Sequence, residues 1–348
     1  MHTSVILVKP MSKKAAVIRG DGVGPELVDA MLNVLHATGT GVEFIVVDAG
    51  ATWWEEHGGR SLIPDETWDV LEEADACFKG PTTTPGGSGS PKSVAVSIRQ
   101  RFNLYANVRP IRTFPKTNPP LGDVNFVCVR EGTEGLYAGK EFELNDDIFI
   151  ALRIITRRAS RLVARYAFDE AERRNWKRLV AIHKSNILKE TCGAFLEEIY
   201  RVGDEYPEIE VWEYHIDNIA QQLIKNPQIF NHSILLSTNL FMDVISEECS
   251  ALVGSIGLIY SANIGETYAM FEPAHGSAPK YAGMDKVNPV ATILAGAWML
   301  SYLDEKEASE KIFRAVDRVI GEGRTLTYDL GGDAKTSEMV EEIIKQIE

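Results

Sequence analysis

Short apolar runs alternate with amphipathic segments through the first third of the chain. The apolar run at 15–19 indicates a buried strand, and Pro25-Glu26 after a glycine loop indicates a helix that continues to about Ala37. The alternation then continues, with strands expected at 42–48 and 76–78 and helices at 64–74 and 92–102. Strands that alternate with helices in this way predict an α/β sheet.

A second series of strands and helices follows and predicts a second lobe. Strands are expected at 126–129, 179–183, 211–215 and 234–237, with intervening helices such as one at 188–201. Residues 135–153 are polar, contain glycine and lack a clear period, so we expect a protruding arm that contacts a second subunit. Near the end of the chain, one buried helical stripe is predicted from Ile312, Val316, Val319 and Ile320.

The composition is typical of a soluble globular protein. The chain has 348 residues, enough for two lobes, and 45% of them are apolar. Lys and Arg number 36 against 50 Asp and Glu, so the net charge of −14 disfavours binding to nucleic acid or to an anionic membrane. An anionic substrate would need a local cluster of cations, which is feasible because charges beyond about 8 Å are largely screened.

Neither the cysteines nor the apolar segments indicate a secreted or membrane protein. The 4 cysteines are scattered without CxxC spacing, so we expect no zinc site, no disulfide framework and a reducing, cytoplasmic setting. The apolar stretch at 290–300 is shorter than the roughly 20 residues that span a bilayer, and the N-terminus lacks a signal pattern. Residues 1–10 are expected to be an extension, to which no role is assigned.

The glycine loop from Gly20 to Gly24 admits two interpretations. Glycine-rich turns before helices hold pyrophosphate in Rossmann folds. Here the spacing differs from G-x-G-x-x-G, and Glu26 would repel a phosphate at the helix start. We therefore expect a tight structural turn.

The segment at 79–110 concentrates hydroxyls, glycines and arginines. Thr84 and Ser93 precede a predicted helix, whose positive end suits a carboxylate. Arg99 and Arg109 carry guanidinium groups that can each hold a carboxylate in bidentate fashion. On composition alone, an ordinary solvated surface loop remains the alternative.

Several motifs are spread over nearly all of the chain after Lys14. In order, they are the Gly20 loop, LYANVRP at 104–110, VREGTEGLYAG at 129–139, HKSNILK at 183–189, the segments of Asp217 and Asp243, GSIGLIYSANIG at 254–265 and FEPAHGSAPKYAGMDKVNP at 271–289. Together they resemble the family of isocitrate and 3-isopropylmalate dehydrogenases, the β-decarboxylating hydroxyacid dehydrogenases. The resemblance implies a two-lobed α/β fold with a large mixed sheet flanked by helices, distinct from a Rossmann fold.

The resemblance also implies the division into lobes and the assembly. Residues 1–104 and 255–348 would form a large, cofactor-binding lobe. Residues 105–254 would form a small lobe with the dimer interface and the arm near 135–155. Because the family's counterparts of Lys184 and Asp217 serve the partner subunit's site, a homodimer with shared active sites is expected.

The resemblance assigns substrate-binding and catalytic roles to named residues. Arginines matching Arg99, Arg109 and Arg130 hold the substrate carboxylates, which suits a small polycarboxylate. Ser93, Thr84 and Asn186 are further substrate-binding candidates. Tyr137 and Lys184 are the implied proton-handling pair, since a lysine beside cations loses its proton more readily and can assist deprotonation of the substrate hydroxyl.

A Mg²⁺ or Mn²⁺ site is implied at three acidic residues, Asp217, Asp243 and Glu247. Asp243 and Glu247 lie four residues apart on a predicted helix, so both carboxylates share one face, and hard oxygen ligands suit these ions. The family usually has Asp where Glu247 stands, so this chain departs there by one methylene. A solvated acidic helix face is the alternative.

The cofactor-binding residues follow from the same resemblance. They are Lys79, Thr84, Glu272, His275, Gly276, Lys280, Tyr281, Val287, Asn288 and Tyr328. Members that prefer NAD commonly have an acidic residue where Lys280 stands, so Lys280 and Tyr281 favour NADP, with NAD as the alternative. The arginine often found four positions after the tyrosine at 328 is Gly332 here.

The expected reaction is oxidation of isocitrate to 2-oxoglutarate and CO2 with reduction of NADP, in the tricarboxylic acid cycle. Ser93 resembles the isocitrate-binding serine, which is a phosphorylation site in some relatives. Ala95 stands where isocitrate enzymes usually have Asn, so homoisocitrate, 3-isopropylmalate or tartrate remain alternative substrates. A noncatalytic regulatory subunit is a further alternative, disfavoured because Tyr137, Lys184 and Asp243 are all retained.

Overall fold

The structure, a computed structural model, describes residues 12–87 and 89–347, so the extension expected at 1–10 lies outside the described residues. Within these ranges there are twelve strands, and every predicted strand is present to within a residue or two. They are β1 (Lys14–Ile18), β2 (Glu43–Val47), β3 (Ala76–Lys79), β4 (Ala106–Arg112), β5 (Asn125–Glu131), β6 (Glu141–Asn145), β7 (Ile148–Ala151), β8 (Arg178–His183), β9 (Glu210–His215), β10 (Ile234–Ser237), β11 (Tyr260–Ile264) and β12 (Ala269–Pro273).

Eleven α-helices occupy the same described ranges. They are α1 (Gly24–Ala37), α2 (Ala51–His57), α3 (Asp65–Glu73), α4 (Val94–Arg101), α5 (Arg157–Arg173), α6 (Lys189–Gly203), α7 (Ile216–Lys225), α8 (Asn239–Leu252), α9 (Val290–Tyr302), α10 (Lys306–Glu322) and α11 (Thr336–Ile347). None of the described helices is long and apolar enough to cross a bilayer.

Ten of the strands form one mixed sheet in the order β2-β1-β3-β12-β11-β4-β5-β10-β8-β9. The outer pairings are parallel, whereas β12 with β11, β11 with β4 and β4 with β5 are antiparallel. This arrangement confirms the predicted large mixed sheet and differs from the parallel sheet of a Rossmann fold. The sheet is continuous, so the two lobes expected from the sequence would share it.

Apolar side chains cover both faces of the sheet and form three clusters. The largest cluster includes α9, which is buried on nearly all sides, and the predicted stripe of α10, whose Ile312, Val316, Val319 and Ile320 are all buried. A second cluster joins α5 and α6 to alternate residues of β4 and β5, among them Val108 and Val129. Because α5 and α6 cover one face of these strands, the side chains on the opposite face are available for a site.

The segment predicted as an arm is an exposed two-stranded hairpin of β6 and β7. Its apolar side chains face outward, with Phe142 47%, Leu144 60% and Phe149 68% exposed. The sequence analysis did not predict strands here, although Glu-Phe-Glu-Leu in β6 alternates polar and apolar residues as a strand does. An apolar hairpin of this kind is typical of a segment that is covered by another chain.

The glycine loop is a tight structural turn, as the sequence analysis expected. A β-carbon built on Gly22 would lie 2.1 Å from the carbonyl oxygen of Ser277, and its φ of +59° favours glycine. The buried carboxylate of Asp21 accepts hydrogen bonds from the backbone N–H groups of Ala51, Thr52 and Thr83 at 2.7 to 3.0 Å. The loop therefore joins the start of α1 to the start of α2 and to the loop after β3.

Candidate active site

Alternation along two neighbouring strands places arginine side chains on one face of the sheet. Residues two apart on a strand share a face, so Asn107 and Arg109 project from the same side of β4, and Arg130 on β5 lies opposite Asn107. Arg99 reaches the same region from the end of α4. All three arginines are buried, with between 3% and 7% of their surface exposed.

Arg99 belongs to a buried network around Glu272 on β12. The Arg99 guanidinium donates hydrogen bonds to Glu272 at 3.1 Å and to Asn263 at 2.7 Å, and Lys79 Nζ lies 3.0 Å from the other carboxylate oxygen of Glu272. Burial alone would raise the pKa of Glu272, but the charges of Lys79 and Arg99 outweigh it and hold that pKa well below its usual value. Glu272 is therefore an anion that fixes two of the cations.

Arg109 and Arg130 contact the acidic face of α8. Arg109 Nη1 donates to Glu247 at 2.6 Å. Arg130 donates to Asn239 at 2.7 and 2.9 Å and also to Asp243. Asp243 and Glu247 thus lie one turn apart on the same side of α8, as the sequence predicted, and each carboxylate neutralises one arginine.

The three guanidinium groups are close enough to affect one another. The pKa of Arg130 is lowered to about 10 by burial and by the charges of Arg99 and Arg109, against the opposing effect of Asp243. Like charges repel at short range in a medium of low polarity, so such a cluster is stable only with compensating anions. Glu272, Asp243 and Glu247 provide part of this compensation, and an anionic ligand would add to it.

Tyr137 lies against the arginine cluster at the base of the arm. Its hydroxyl donates a hydrogen bond to Asp243, and Arg130 Cζ lies 4.8 Å from the centre of its ring. Burial, followed by the hydrogen bond to Asp243, raises the pKa of Tyr137. The phenol consequently holds its proton beside the arginines.

Lys184 and Asp217 form a second group, at the ends of the paired strands β8 and β9. Lys184 follows β8, Asp217 begins α7 after β9, and Lys184 Nζ lies 2.5 Å from the Asp217 carboxylate. The hydrogen bond from Lys184 lowers the pKa of Asp217, whose side chain is 68% exposed. Within one chain, the charged partner of Lys184 is therefore the Asp217 carboxylate. The neighbouring cations that would lower the pKa of a catalytic lysine are not part of this pair.

The acidic residues fit a hard divalent cation in their chemistry, but one chain supplies only part of the donor set. Asp243 and Glu247 offer carboxylate oxygens on one helix turn, the ligand type that Mg²⁺ and Mn²⁺ prefer. No group of three His, Cys, Asp or Glu side chains able to hold a metal occurs in residues 12–87 and 89–347. Asp217, the third predicted ligand, pairs with Lys184 of the same chain at 2.5 Å.

Six of the predicted cofactor-binding residues line one cleft of about 280 Å³: His275, Gly276, Tyr281, Val287, Asn288 and Tyr328. Burial lowers the pKa of His275, so its imidazole is neutral, and its Nδ1 lies 3.1 Å from the Gly276 carbonyl oxygen. Lys280 stands at the rim, with Nζ 4.8 Å from the ring centre of Tyr281. An apolar cleft with few polar groups is the usual form of a nucleotide site.

Three further predicted residues lie at the start of a helix or on loops: Ser93, Thr84 and Asn186. Ser93 is the N-cap of α4, where its hydroxyl accepts a hydrogen bond from the Val96 N–H at 3.1 Å. Thr84 and Asn186 are exposed on loops. Lys79 and Glu272, predicted for the cofactor, contact each other, and Glu272 also contacts Arg99; neither of the two is among the residues that line the cleft.

Sequence reasoning missed the polar side chains that hold the arginines in place. Asn263 on β11 accepts from Arg99 and from Asn107, the latter at 2.8 Å, and Asn239 accepts from Arg130. Asp329 also lines the cleft and accepts from Ser255 at 2.5 Å and from Asn288 at 2.9 Å. A signal was present for Asn263, since an asparagine within a buried strand requires buried hydrogen-bond partners.

Comparison with known proteins gives a consistent result along the chain. The family described as isocitrate/isopropylmalate dehydrogenase matches residues 14–343. The 3-isopropylmalate dehydrogenase of Methanothermobacter thermautotrophicus is 42% identical over 97% of this chain and 99% of its own length. The NADP isocitrate dehydrogenase of Thermus thermophilus is 39% identical over 96% of this chain and 68% of its own. A crystal structure of isocitrate dehydrogenase from Methylococcus capsulatus has a TM-score of 0.91 and 43% identity, covering 96% of this chain and 99% of that one.

Proposed function

The chain belongs to the isocitrate/isopropylmalate dehydrogenase family, and we propose that it oxidises and decarboxylates isocitrate with NADP as the hydride acceptor and a divalent cation as cofactor. The family generally uses NAD or NADP and a divalent metal. The observation that carries the choice of substrate is the buried group of Arg99, Arg109 and Arg130. Similar relatives are named for 3-isopropylmalate and for isocitrate, so identity alone does not decide between these substrates.

The charge of the buried group supports a substrate with several carboxylates. Two of its arginines are paired with carboxylates of α8, which are also the proposed metal ligands. When a cation occupies those carboxylates, the two guanidinium groups need new anionic partners, because an unpaired buried charge is costly. A tricarboxylate supplies more such partners than an alkyl-substituted dicarboxylate does.

The N-terminus of α4 supports the same substrate. Ser93 uses its oxygen as an acceptor for the helix cap, so its hydroxyl proton remains available to a substrate carboxylate. A hydrocarbon substituent at this place would meet a hydroxyl and free backbone N–H groups. Isocitrate is therefore favoured over 3-isopropylmalate here.

The residues of the chain divide the proton transfers between them. A divalent cation held by Asp243 and Glu247 would supply Lewis-acid stabilisation, and NADP held in the cleft of His275 and Tyr328 would supply the hydride acceptor. Lys184 of the partner subunit takes the proton of the substrate hydroxyl as the ketone forms. After CO2 leaves, Tyr137 donates its phenolic proton to the carbon that carried the carboxylate, and its raised pKa keeps that proton in place until then.

A substrate and cofactor panel tests this proposal. Isocitrate, homoisocitrate, 3-isopropylmalate and tartrate would each be assayed with NADP and with NAD, in the presence of Mg²⁺ or Mn²⁺, by the absorbance of the reduced nicotinamide. We expect isocitrate with NADP to have the highest kcat/KM. A higher kcat/KM with another acid would overturn the assignment of isocitrate, and a higher kcat/KM with NAD would overturn the assignment of NADP. No turnover with any pair would indicate a noncatalytic subunit.

An arginine variant links the panel to the buried group. Arg130→Lys keeps the charge but loses the planar fork that contacts Asn239 and Asp243, so we expect kcat/KM for isocitrate to fall by at least about 100-fold. Arg101→Lys is the matched control, because Arg101 lies on the same α4 as Arg99 but is exposed and pairs with Glu72. Equal effects of the two substitutions would show that the buried group does not bind substrate.

Sharing of the active site between two subunits is part of the same proposal. Lys184 follows β8, and β10 lies between β8 and the β5 strand that carries Arg130. The arm exposes apolar side chains such as Phe149. A homodimer would cover the arm and bring the two groups of residues together. Family members are often dimeric.

Complementation between two inactive variants tests the sharing. Tyr137→Phe and Lys184→Met would each be prepared, then unfolded and refolded together at equal concentrations. If each site takes Tyr137 from one chain and Lys184 from the other, half of the sites in a heterodimer are intact, and random pairing restores about one quarter of the wild-type activity. No recovery, with heterodimers shown to form, would place both residues in sites made by a single chain.

A further inference from the structure

Two lysine and tyrosine pairs stand side by side at the rim of the cofactor cleft. Lys280 Nζ lies 4.8 Å from the ring centre of Tyr281, and Lys286 Nζ lies 4.8 Å from the ring centre of Tyr328. The two tyrosine rings line the cleft, and their centres are 6.3 Å apart. Two ammonium groups thus flank one pair of phenols, although the sequence motifs drew attention to Lys280 alone.

Position 332, where similar enzymes often have an arginine, is closed to side chains. A β-carbon built on Gly332 would lie 2.0 Å from the carbonyl oxygen of Leu326. That carbonyl is fixed, because it accepts the Ala334 N–H at 2.9 Å. An arginine at 332 is therefore incompatible with this turn.

The neighbouring carboxylates are turned to other partners. Asp285, next to Lys286, accepts hydrogen bonds from the backbone N–H and the hydroxyl of Ser337 at 2.8 and 2.6 Å. Asp329, next to Tyr328, is held by Ser255 and Asn288. Neither lysine forms its ion pair with these two acids, so both ammonium groups remain available at the rim.

We propose that Lys286 is a specificity-determining residue that, together with Lys280, binds the 2′-phosphate of NADP between the rings of Tyr281 and Tyr328. This inference rests on the proposed use of NADP. A phosphate monoester carries nearly two negative charges near neutral pH, so a second ammonium strengthens its binding where one lysine neutralises half of the charge. The ribose hydroxyls of NAD carry no charge and gain little from the second lysine.

Binding of two adenosine nucleotides to the full-length protein tests the proposal without catalysis. Calorimetry would compare adenosine 2′,5′-bisphosphate with 5′-AMP for the wild type and for Lys286→Gln, Lys286→Arg and Lys311→Gln. Lys311 is an exposed lysine on α10, so its substitution controls for the change in net charge. Binding of 5′-AMP reports whether the cleft of each variant is intact.

We expect Lys286→Gln to weaken the bisphosphate about five- to tenfold and to change 5′-AMP binding less than about twofold. Lys286→Arg and Lys311→Gln should bind both nucleotides as the wild type does. Loss of both nucleotides to the same degree, or no loss of the bisphosphate, would overturn the role of Lys286 while leaving a wild-type preference for the bisphosphate intact. A wild type without that preference would instead overturn the assignment of NADP, and the role of Lys286 with it.

Discussion

The substitution Glu134→Gln is expected to stabilise the protein at alkaline pH. Glu134 lies three residues before Tyr137, is 9% exposed, and accepts the Thr156 N–H at 2.7 Å at the base of the arm. Burial raises its pKa to about 7, with a further contribution from the charge of Glu131, and the Thr156 hydrogen bond opposes the shift. The amide of glutamine keeps an oxygen for Thr156 and carries no charge.

The sign and size of the effect follow from the two pKa values. Between pH 4.5, the ordinary pKa, and about pH 7, the folded protein keeps a proton that the unfolded chain has released. Stability therefore falls as the pH rises through this window and stays low above it. The difference of about 2.5 pKa units corresponds to at most about 3 kcal/mol at pH 8 and less than about 1 kcal/mol at pH 5.

Urea unfolding followed by circular dichroism, at one fixed protein concentration and at pH values from 5 to 8, measures this difference. At pH 8, the free energy of unfolding of Glu134→Gln should exceed that of the wild type by about 1 kcal/mol or more. The two proteins should converge towards pH 5. Glu55→Gln, on the exposed side of α2, is the matched control and should follow the wild type. A constant difference between Glu134→Gln and the wild type across this range would refute the reasoning.

Three further predictions concern cofactor choice, the glycine turn and assembly. Lys280→Asp should raise KM for NADP by about tenfold or more with little change for NAD, because a carboxylate repels the 2′-phosphate; equal losses with both cofactors would contradict the assignment. Gly22→Ala should lower the free energy of unfolding by more than about 2 kcal/mol, because the added β-carbon would lie 2.1 Å from the Ser277 carbonyl oxygen and the φ of +59° favours glycine. Urea unfolding identical to that of the wild type would contradict this prediction. Phe149→Glu should shift the protein to a monomer in analytical ultracentrifugation and reduce activity in parallel, whereas an unchanged dimer would exclude the arm from the interface.

Local pattern was sufficient to predict much of the fold. The stripe of Ile312 and Val316 is buried as its spacing indicated, and Asp243 and Glu247 share one face of α8 because a helix brings residues four apart together. Strands buried on both faces, such as β8, were visible as short apolar runs. The hairpin of β6 and β7 was missed because its apolar side chains face outward, whereas β3 and β10, each four residues long, are buried and were predicted.

The contacts within the candidate site could not be predicted in the same way. Arg99 and Glu272 are 173 residues apart in sequence, and their hydrogen bond depends on where α4 meets β12. The contacts of Glu272 with Arg99 and Lys79 likewise gave no signal in the sequence. The position of Lys286 over the ring of Tyr328 gave no signal for a different reason, because an exposed lysine looks like any other surface lysine in the sequence.

Metal dependence of isocitrate turnover is the most direct test of the account. The purified enzyme would be treated exhaustively with a chelator, assayed with isocitrate and NADP, and assayed again after addition of Mn²⁺ or Mg²⁺, with Asp243→Asn measured alongside. We expect formation of NADPH to stop in the chelated enzyme, to return with either ion, and not to return in Asp243→Asn. Full turnover of the chelated wild type would contradict the account.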